Sequence, residues 1–150
     1  MIILNFNRLD CDDISELTHN QVMALYSVTL FEAYQQFQID ELDLSGSVPL
    51  LWAGRELRRI QKLLRSRKTG DLVFAPHSSS RRIIFKWIEN QVLVTTFTIS
   101  MGTESEHKSA AVSFPELDKA ITKYARKIFK TIAQLWPPLR EDQYRSWFFG

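Results

Sequence analysis

The chain has 150 residues, 45% of them hydrophobic and 24% charged, which excludes a disordered polymer and fits one domain with its own core. A single cysteine, Cys11, excludes an intramolecular disulfide scaffold and favours a reducing compartment. The net charge of +2 hides a segregation. Residues 1–50 hold Asp10, Asp12, Asp13, Glu16, Glu32, Asp40, Glu41 and Asp43 against Arg8 alone, whereas residues 51–90 carry ten Lys and Arg against Glu56, Asp71 and Glu89. Either these two parts lie against each other, or they form separate charged surfaces able to steer a partner.

At the N-terminus no basic segment precedes a long apolar run, so no signal peptide is expected. No stretch approaches the roughly 18 apolar residues of a membrane span, and the expected location is the cytoplasm. Ile2, Leu4 and Phe6 alternate with Ile3, Asn5 and Asn7, the period of a half-buried strand. Asp10-Cys11-Asp12-Asp13 lacks the alternate oxygens, the glycine and the later bidentate Glu of a calcium loop. It reads as an acidic turn, with Asp12 or Asp13 capping a short helix, or as an exposed cluster that neutralises a basic partner. From Val22 to Leu44, the run Ser27-Val28-Thr29-Leu30-Phe31 and the alternation at Phe37 and Ile39 favour two antiparallel strands breaking near Tyr34-Gln35-Gln36. A helix over Gln21–Gln36 is the other reading.

Ser45-Gly46-Ser47 is a turn, Ser47 is placed to cap a helix, and Pro49 falls in its first turn. Leu50, Ala53, Leu57, Ile60 and Leu64 recur at helical spacing to about Ser66, with Gly70 as the stop. Leu72-Val73-Phe74, Ile83 to Ile88 and Val92 to Ile99 read as strands, the last two joined by a hairpin at Glu89-Asn90-Gln91. Met101 to Ser109 is polar and flexible in character, and Ala110-Ala111-Val112 is a short strand. Ser113 and Glu116 have capping-box spacing for a final helix. Its apolar stripe is Leu117, Ala120, Ile121, Tyr124, Ile128, Ile132 and Leu135; Lys119, Lys123, Arg126, Lys127 and Lys130 face outward, and Pro137-Pro138 ends it. The expectation is an α+β fold: an antiparallel sheet of about five to six strands with two long helices packed on it.

No glycine cradle for phosphate, nucleophile elbow or zincin motif occurs, so no catalytic residue, cofactor or metal site is predicted. Cys11, His19, His77 and His107 are too scattered for a standard zinc set. His77 beside Ser78-Ser79-Ser80 lacks a third group to orient a base. Arg55, Arg58, Arg59, Lys62 and Arg65 on the first long helix, with Arg81 and Arg82 in a loop, could meet nucleic-acid backbone or could simply be a solvated face. The tail Tyr144-Arg145-Ser146-Trp147-Phe148-Phe149 either folds back over the sheet as core or offers Trp147 and Phe148 to an interface.

In layout the chain resembles small bacterial immunity proteins of contact-dependent growth-inhibition toxin systems. The features that carry this are an N-terminal strand region, a helix from Trp52 to Leu64, a hairpin bearing Phe85-Lys86-Trp87-Ile88 and a capped helix after Val112-Ser113-Phe114-Pro115-Glu116-Leu117. The resemblance implies a non-enzymatic cytoplasmic protein that binds and blocks a cognate toxin domain, with Asp10, Asp12, Asp13, Glu16, Trp147 and Phe148 as candidate contacts. The net charge departs from that pattern, since inhibitors of basic nucleases are often acidic overall. The alternative is a nucleic-acid-associated protein using Arg55, Arg58, Arg59, Lys62, Arg65, Arg81 and Arg82.

Overall fold

The alternation at the N-terminus becomes β1 (Ile2–Cys11), whose Ile2, Leu4 and Phe6 pack against the core. The computed structural model describes residues 1–26, 30–77 and 79–150. Between β1 and the next strand lies a helix, α1 (His19–Leu25), started by a full capping box. Thr18 Oγ1 accepts from the Gln21 amide at 3.2 Å, and Gln21 Oε1 accepts from the Thr18 amide at 2.8 Å. The cap is therefore Thr18, not Asp12 or Asp13.

The expected break near Tyr34-Gln35-Gln36 is absent, because β2 (Phe31–Ile39) runs straight through it. Polar Gln35 suits a strand here because it is buried and its Oε1 accepts from the Tyr124 hydroxyl at 2.9 Å. The reversal comes later, at Asp40 with φ 52°, and leads into β3 (Leu42–Asp43). Of the expected strand residues, Ser27, Val28 and Thr29 lie outside the described residues.

A fourth strand, β4 (Gly46–Pro49), also pairs with β2, which leaves β1 as an edge of this four-stranded antiparallel sheet. Ser45 bridges the step from β3 to β4, its Oγ accepting from the Phe37 amide at 3.0 Å. Pairing opposite Tyr34 draws Ser47 into the ladder, so it does not cap the helix that follows. α2 (Leu50–Arg65) starts directly from Pro49 with no side-chain cap.

The second antiparallel sheet has β6 (Arg81–Ile88) between β5 (Leu72–Phe74) and β7 (Gln91–Ser100). The β6–β7 turn is Glu89-Asn90, with Glu89 at φ 53°. The segment expected to be flexible is paired in part. Met101 and Gly102, at φ 51° and 78°, make a tight turn into β8 (Thr103–Glu104), and β9 (Lys108–Ser113) then lies along β7. The strands thus divide between two sheets of an α+β fold.

α3 (Phe114–Leu135) begins with half of the expected box: Ser113 Oγ accepts from the Glu116 amide at 3.4 Å. After a 3-10 turn at Pro137–Arg140, α4 (Asp142–Phe149) folds back onto α2 and α3 rather than over a sheet. One hydrophobic cluster runs through both sheets and the helices. Leu57, Ile60 and Leu64 of α2 and Ile121, Ile128 and Ile132 of α3 are fully buried in it. Each such side chain contributes about 1.5–3 kcal/mol. The Phe37 and Phe85 rings stack at 6.4 Å where the two sheets meet. No helix among the described residues is long and apolar enough to cross a membrane.

Candidate partner-binding surfaces

The acidic segment is built by a defect in the first sheet. Asn7 pairs with Tyr34 but Asp10 pairs with Glu32, so β1 carries one extra residue, and Arg8 sits at φ 52° in the resulting bulge. The bulge resets the alternation of β1, so that Leu9 packs against the core after Phe6 and Asp10 is left exposed. Asp10, Asp12, Asp13 and Glu16 are all exposed. The Asp12 amide donates to Leu30 O at 3.3 Å, which carries the pairing one step beyond β1.

Two carboxylates, Asp10 and Glu32, are directly opposite each other, an arrangement that destabilises a strand pair. The Ser15 amide, donating to Asp13 Oδ1 at 3.0 Å, holds the Asp13 carboxyl below its ordinary value. Desolvation, followed by the Asp12 and Asp13 charges, pushes the Cys11 thiol up, which disfavours the reactive thiolate. Among the described residues, none of Asp10, Asp12, Asp13, Glu16 and Glu32 has a Lys or Arg within 4 Å. Among the described residues no acid of residues 1–50 forms an ion pair with a Lys or Arg of residues 51–90, although Arg81 donates to Asp43 O.

Of the two aromatic candidates, the fold keeps one at the surface. Phe148 is 1% exposed, packed near Gly54 and Ile128 and 5.7 Å from the Phe129 ring, and has no surface left for a partner. Trp147 is half-buried between the Arg55 guanidinium, 4.7 Å from its ring, and Tyr26, which meets it edge-on at 4.9 Å. Tyr26 is the C-terminal cap of α1, so Trp147 touches the end of that helix away from the acidic segment, and it also lines a hollow with Arg55, Arg59 and Lys62 of α2.

Packing α2 beside α3 creates a second surface. Arg55, Arg58, Arg59, Lys62 and Arg65 on α2 are joined by Arg126 on α3 and Arg145 on α4, whereas Lys119, Lys123 and Lys127 of α3 line a separate hollow against β1. Acids are few here. Glu56 pairs with Arg59 at 2.5 Å, and Asp118 pairs with Arg65 at 2.6 Å. The other α2 bases bind the tail: Arg55 Nε donates to Trp147 O at 3.2 Å, Arg58 Nη2 to Phe149 O at 3.2 Å and Lys62 Nζ to Gly150 O at 2.7 Å.

Arg81 and Arg82 have a different task. Arg81 donates to Asp43 O at 3.1 Å and Thr96 Oγ1 at 3.2 Å, and Arg82 to Ser79 O at 2.8 Å. Both are half-buried; Arg81 ties the two sheets together and Arg82 ties β6 to the loop before it, and among the described residues no hydrogen bond joins either to the helical bases.

Other candidates stay apart. Ser78 lies outside the described residues, and Ser79 Oγ accepts from the Arg81 amide. No serine hydroxyl among the described residues bonds a histidine. His19 packs on Trp136, His77 near Trp52, and His107 on Phe97. Among the described residues no group of three or more His, Cys, Asp or Glu could hold a metal ion.

Sequence reasoning missed Glu32, whose link to Asp10 depends on a bulged register. It also left Arg126 unassigned, since only the helix–helix contact brings it beside Arg58 of α2. No protein-family model, curated protein or solved structure matches this chain.

Proposed function

We propose that the protein is a non-enzymatic binding module that neutralises a cognate basic toxin domain by occlusion, contacting it through Asp10, Asp12, Asp13, Glu16 and Glu32 with Trp147 at the margin. The observation that carries this reading is the unpaired acidic cluster on a bulged strand end, with Asp10 set against Glu32. Like charges held together without a counter-ion cost stability, and a basic partner surface would relieve that cost. Exposed carboxylates also speed encounter, while a half-buried Trp can add an anchor at the edge of the contact. The resemblance to immunity proteins supplies the class of partner.

The test is co-expression with the C-terminal domain of a secreted toxin encoded beside this chain. Rescue of growth and a stoichiometric complex on gel filtration are expected, both weakened by Asp10→Lys, Asp12→Lys and Glu16→Lys together. Full rescue by the triple variant would refute the acidic surface.

The helical layer of Lys and Arg favours a second reading, binding to nucleic-acid backbone, now without Arg81 and Arg82. In that case retention on heparin or generic RNA should fall steeply with salt, and Arg59→Glu with Lys62→Glu should abolish it.

A further inference from the structure

We infer that the hollow bounded by Arg58 of α2, Arg126 of α3 and Arg145 of α4 is a binding site for a phosphate monoester group. It stands independently of the acidic cluster, on another part of the molecule. The hollow has a volume of about 390 Å³, with Phe129, Phe149 and Thr122 completing its wall and no carboxylate in its lining. Three helices thus deliver three guanidinium groups to one place.

Those groups are held without an acidic partner. Among the described residues, neither Arg126 nor Arg145 has an acidic side chain within 4 Å. The nearby carboxylate, Asp118, is already used by Arg65 at 2.6 Å and by Gln61 Nε2 at 2.7 Å. Arg58 is fixed by its bonds to Gln61 Oε1 and Phe149 O, yet its Nε is buried without a partner. The Phe149 ring has Arg58 5.9 Å and Arg145 5.5 Å from its centre, so stacking limits the freedom of both. Desolvation, then the Arg65 charge, lowers the Arg58 pKa; Asp118 opposes this and the Arg126 charge adds to it.

Charge and geometry select the ligand class. A guanidinium presents a rigid fork of donors that suits bidentate contact with oxyanions. A phosphate monoester brings about −1.5 to −2 charges and three acceptor oxygens at neutral pH. A carboxylate or a phosphodiester brings only one charge, which leaves more of the cluster uncompensated.

The experiment uses the full chain at fixed ionic strength, with inorganic phosphate, phosphoserine, acetate and dimethyl phosphate as probes in calorimetric titration and thermal melting. Phosphate and phosphoserine should bind saturably and raise the melting temperature, with affinity rising from pH 5.5 to 7.5 as the dianion forms near pH 6. Tighter phosphoserine would mark an esterified ligand, and tighter inorganic phosphate a free one. Arg126→Gln and Arg145→Gln, both at exposed positions, should each weaken binding by about tenfold or more. The paired control Lys119→Gln with Lys123→Gln should leave it unchanged. Absence of saturable binding, equal binding of acetate, or an equal loss in the lysine control would overturn the assignment.

Discussion

Tyr124 and Gln35 form a buried pair that can be taken apart in a controlled way. The Tyr124 hydroxyl donates to Gln35 Oε1 at 2.9 Å, and the two residues are each 1% exposed. Tyr124→Phe removes the donor and leaves a buried acceptor unsatisfied, a loss of about 1–3 kcal/mol. Gln35→Leu strands the hydroxyl at a similar cost. The double variant removes both polar groups, so it should be more stable than the summed single losses imply, with a coupling of about 1 kcal/mol or more. Urea denaturation of the four proteins measures this, and each kcal/mol should move the melting temperature by about 2–4 °C at this chain length. Burial raises the Tyr124 pKa above the ordinary value of 10. The stability tied to its protonated form is therefore complete below about pH 10 and is lost as pH rises above it. Tyr124→Phe should flatten that alkaline slope. Strict additivity of the single losses, or an unchanged slope in Tyr124→Phe, would refute the pairing.

Ile128→Ala should cost about 2–5 kcal/mol in urea denaturation through the cavity it leaves in a fully buried site, and a loss below about 1 kcal/mol would contradict that packing. Gly54→Ala should destabilise despite a helix-propensity gain of about 1 kcal/mol, because the new Cβ would lie 2.8 Å from Phe148 Cζ and 3.1 Å from Ile128 Cδ1; Trp147 fluorescence should report a loosened α4. For partner binding, charge reversal at Asp10, Asp12 and Glu16 should slow association with the toxin domain about tenfold or more at low salt, the effect shrinking as salt rises. Reversal at Arg55, Arg59 and Lys62 should do much less in stopped-flow measurements, and the opposite ranking would favour the nucleic-acid reading.

The long elements were legible because their periodicity is local. Leu57, Ile60 and Leu64 on α2 and Ile121, Ile128 and Ile132 on α3 repeat at helical spacing and are buried. What was hidden depends on pairs distant in sequence. Gln35 and Gln36 look like a strand break, but Tyr124 supplies Gln35 with its partner from 89 residues away. Ser47 looks like a cap until β2 claims it for the sheet. The short α1 starts with a Thr18–Gln21 box that is present in the sequence but went unread, because the β-branched and aromatic content after it favoured strands. Phe148 had the composition of an interface anchor, and only the gap over Gly54 shows that α4 buries it. The candidate surfaces follow the same rule: their residue types were visible, whereas their grouping required the bulge at Arg8 and the contact of α2 with α3.

Both surfaces hold like charges together at a cost to stability. A left-handed Arg8 costs about 1–2 kcal/mol, and its bulge brings Asp10 opposite Glu32 instead of staggering them. A regular β1 would avoid both costs, but the alternation that begins at Ile2 would then aim Arg8 and Asp10 at the core, where the bulge instead packs Leu9. On the helices, Arg126 and Arg145 stand beside Arg58 although an acid at any one of these positions would provide an ion pair. Stability would favour mixing these charges, because an acidic residue placed among the α3 bases would relieve repulsion at little cost to packing. Their separation suits ligands of opposite sign on two faces. A protein with the bulge repaired by removal of its extra residue should therefore gain about 1–2 kcal/mol from loss of the left-handed residue, with Leu9 opposite Ala33 and Asp10 still opposite Glu32. Deletion of Arg8 is the direct form of that repair, with unfolding free energy and toxin association measured on the same protein. Higher stability with slower association would support a functional bulge, whereas lower stability with unchanged association would show that the bulge serves only the fold.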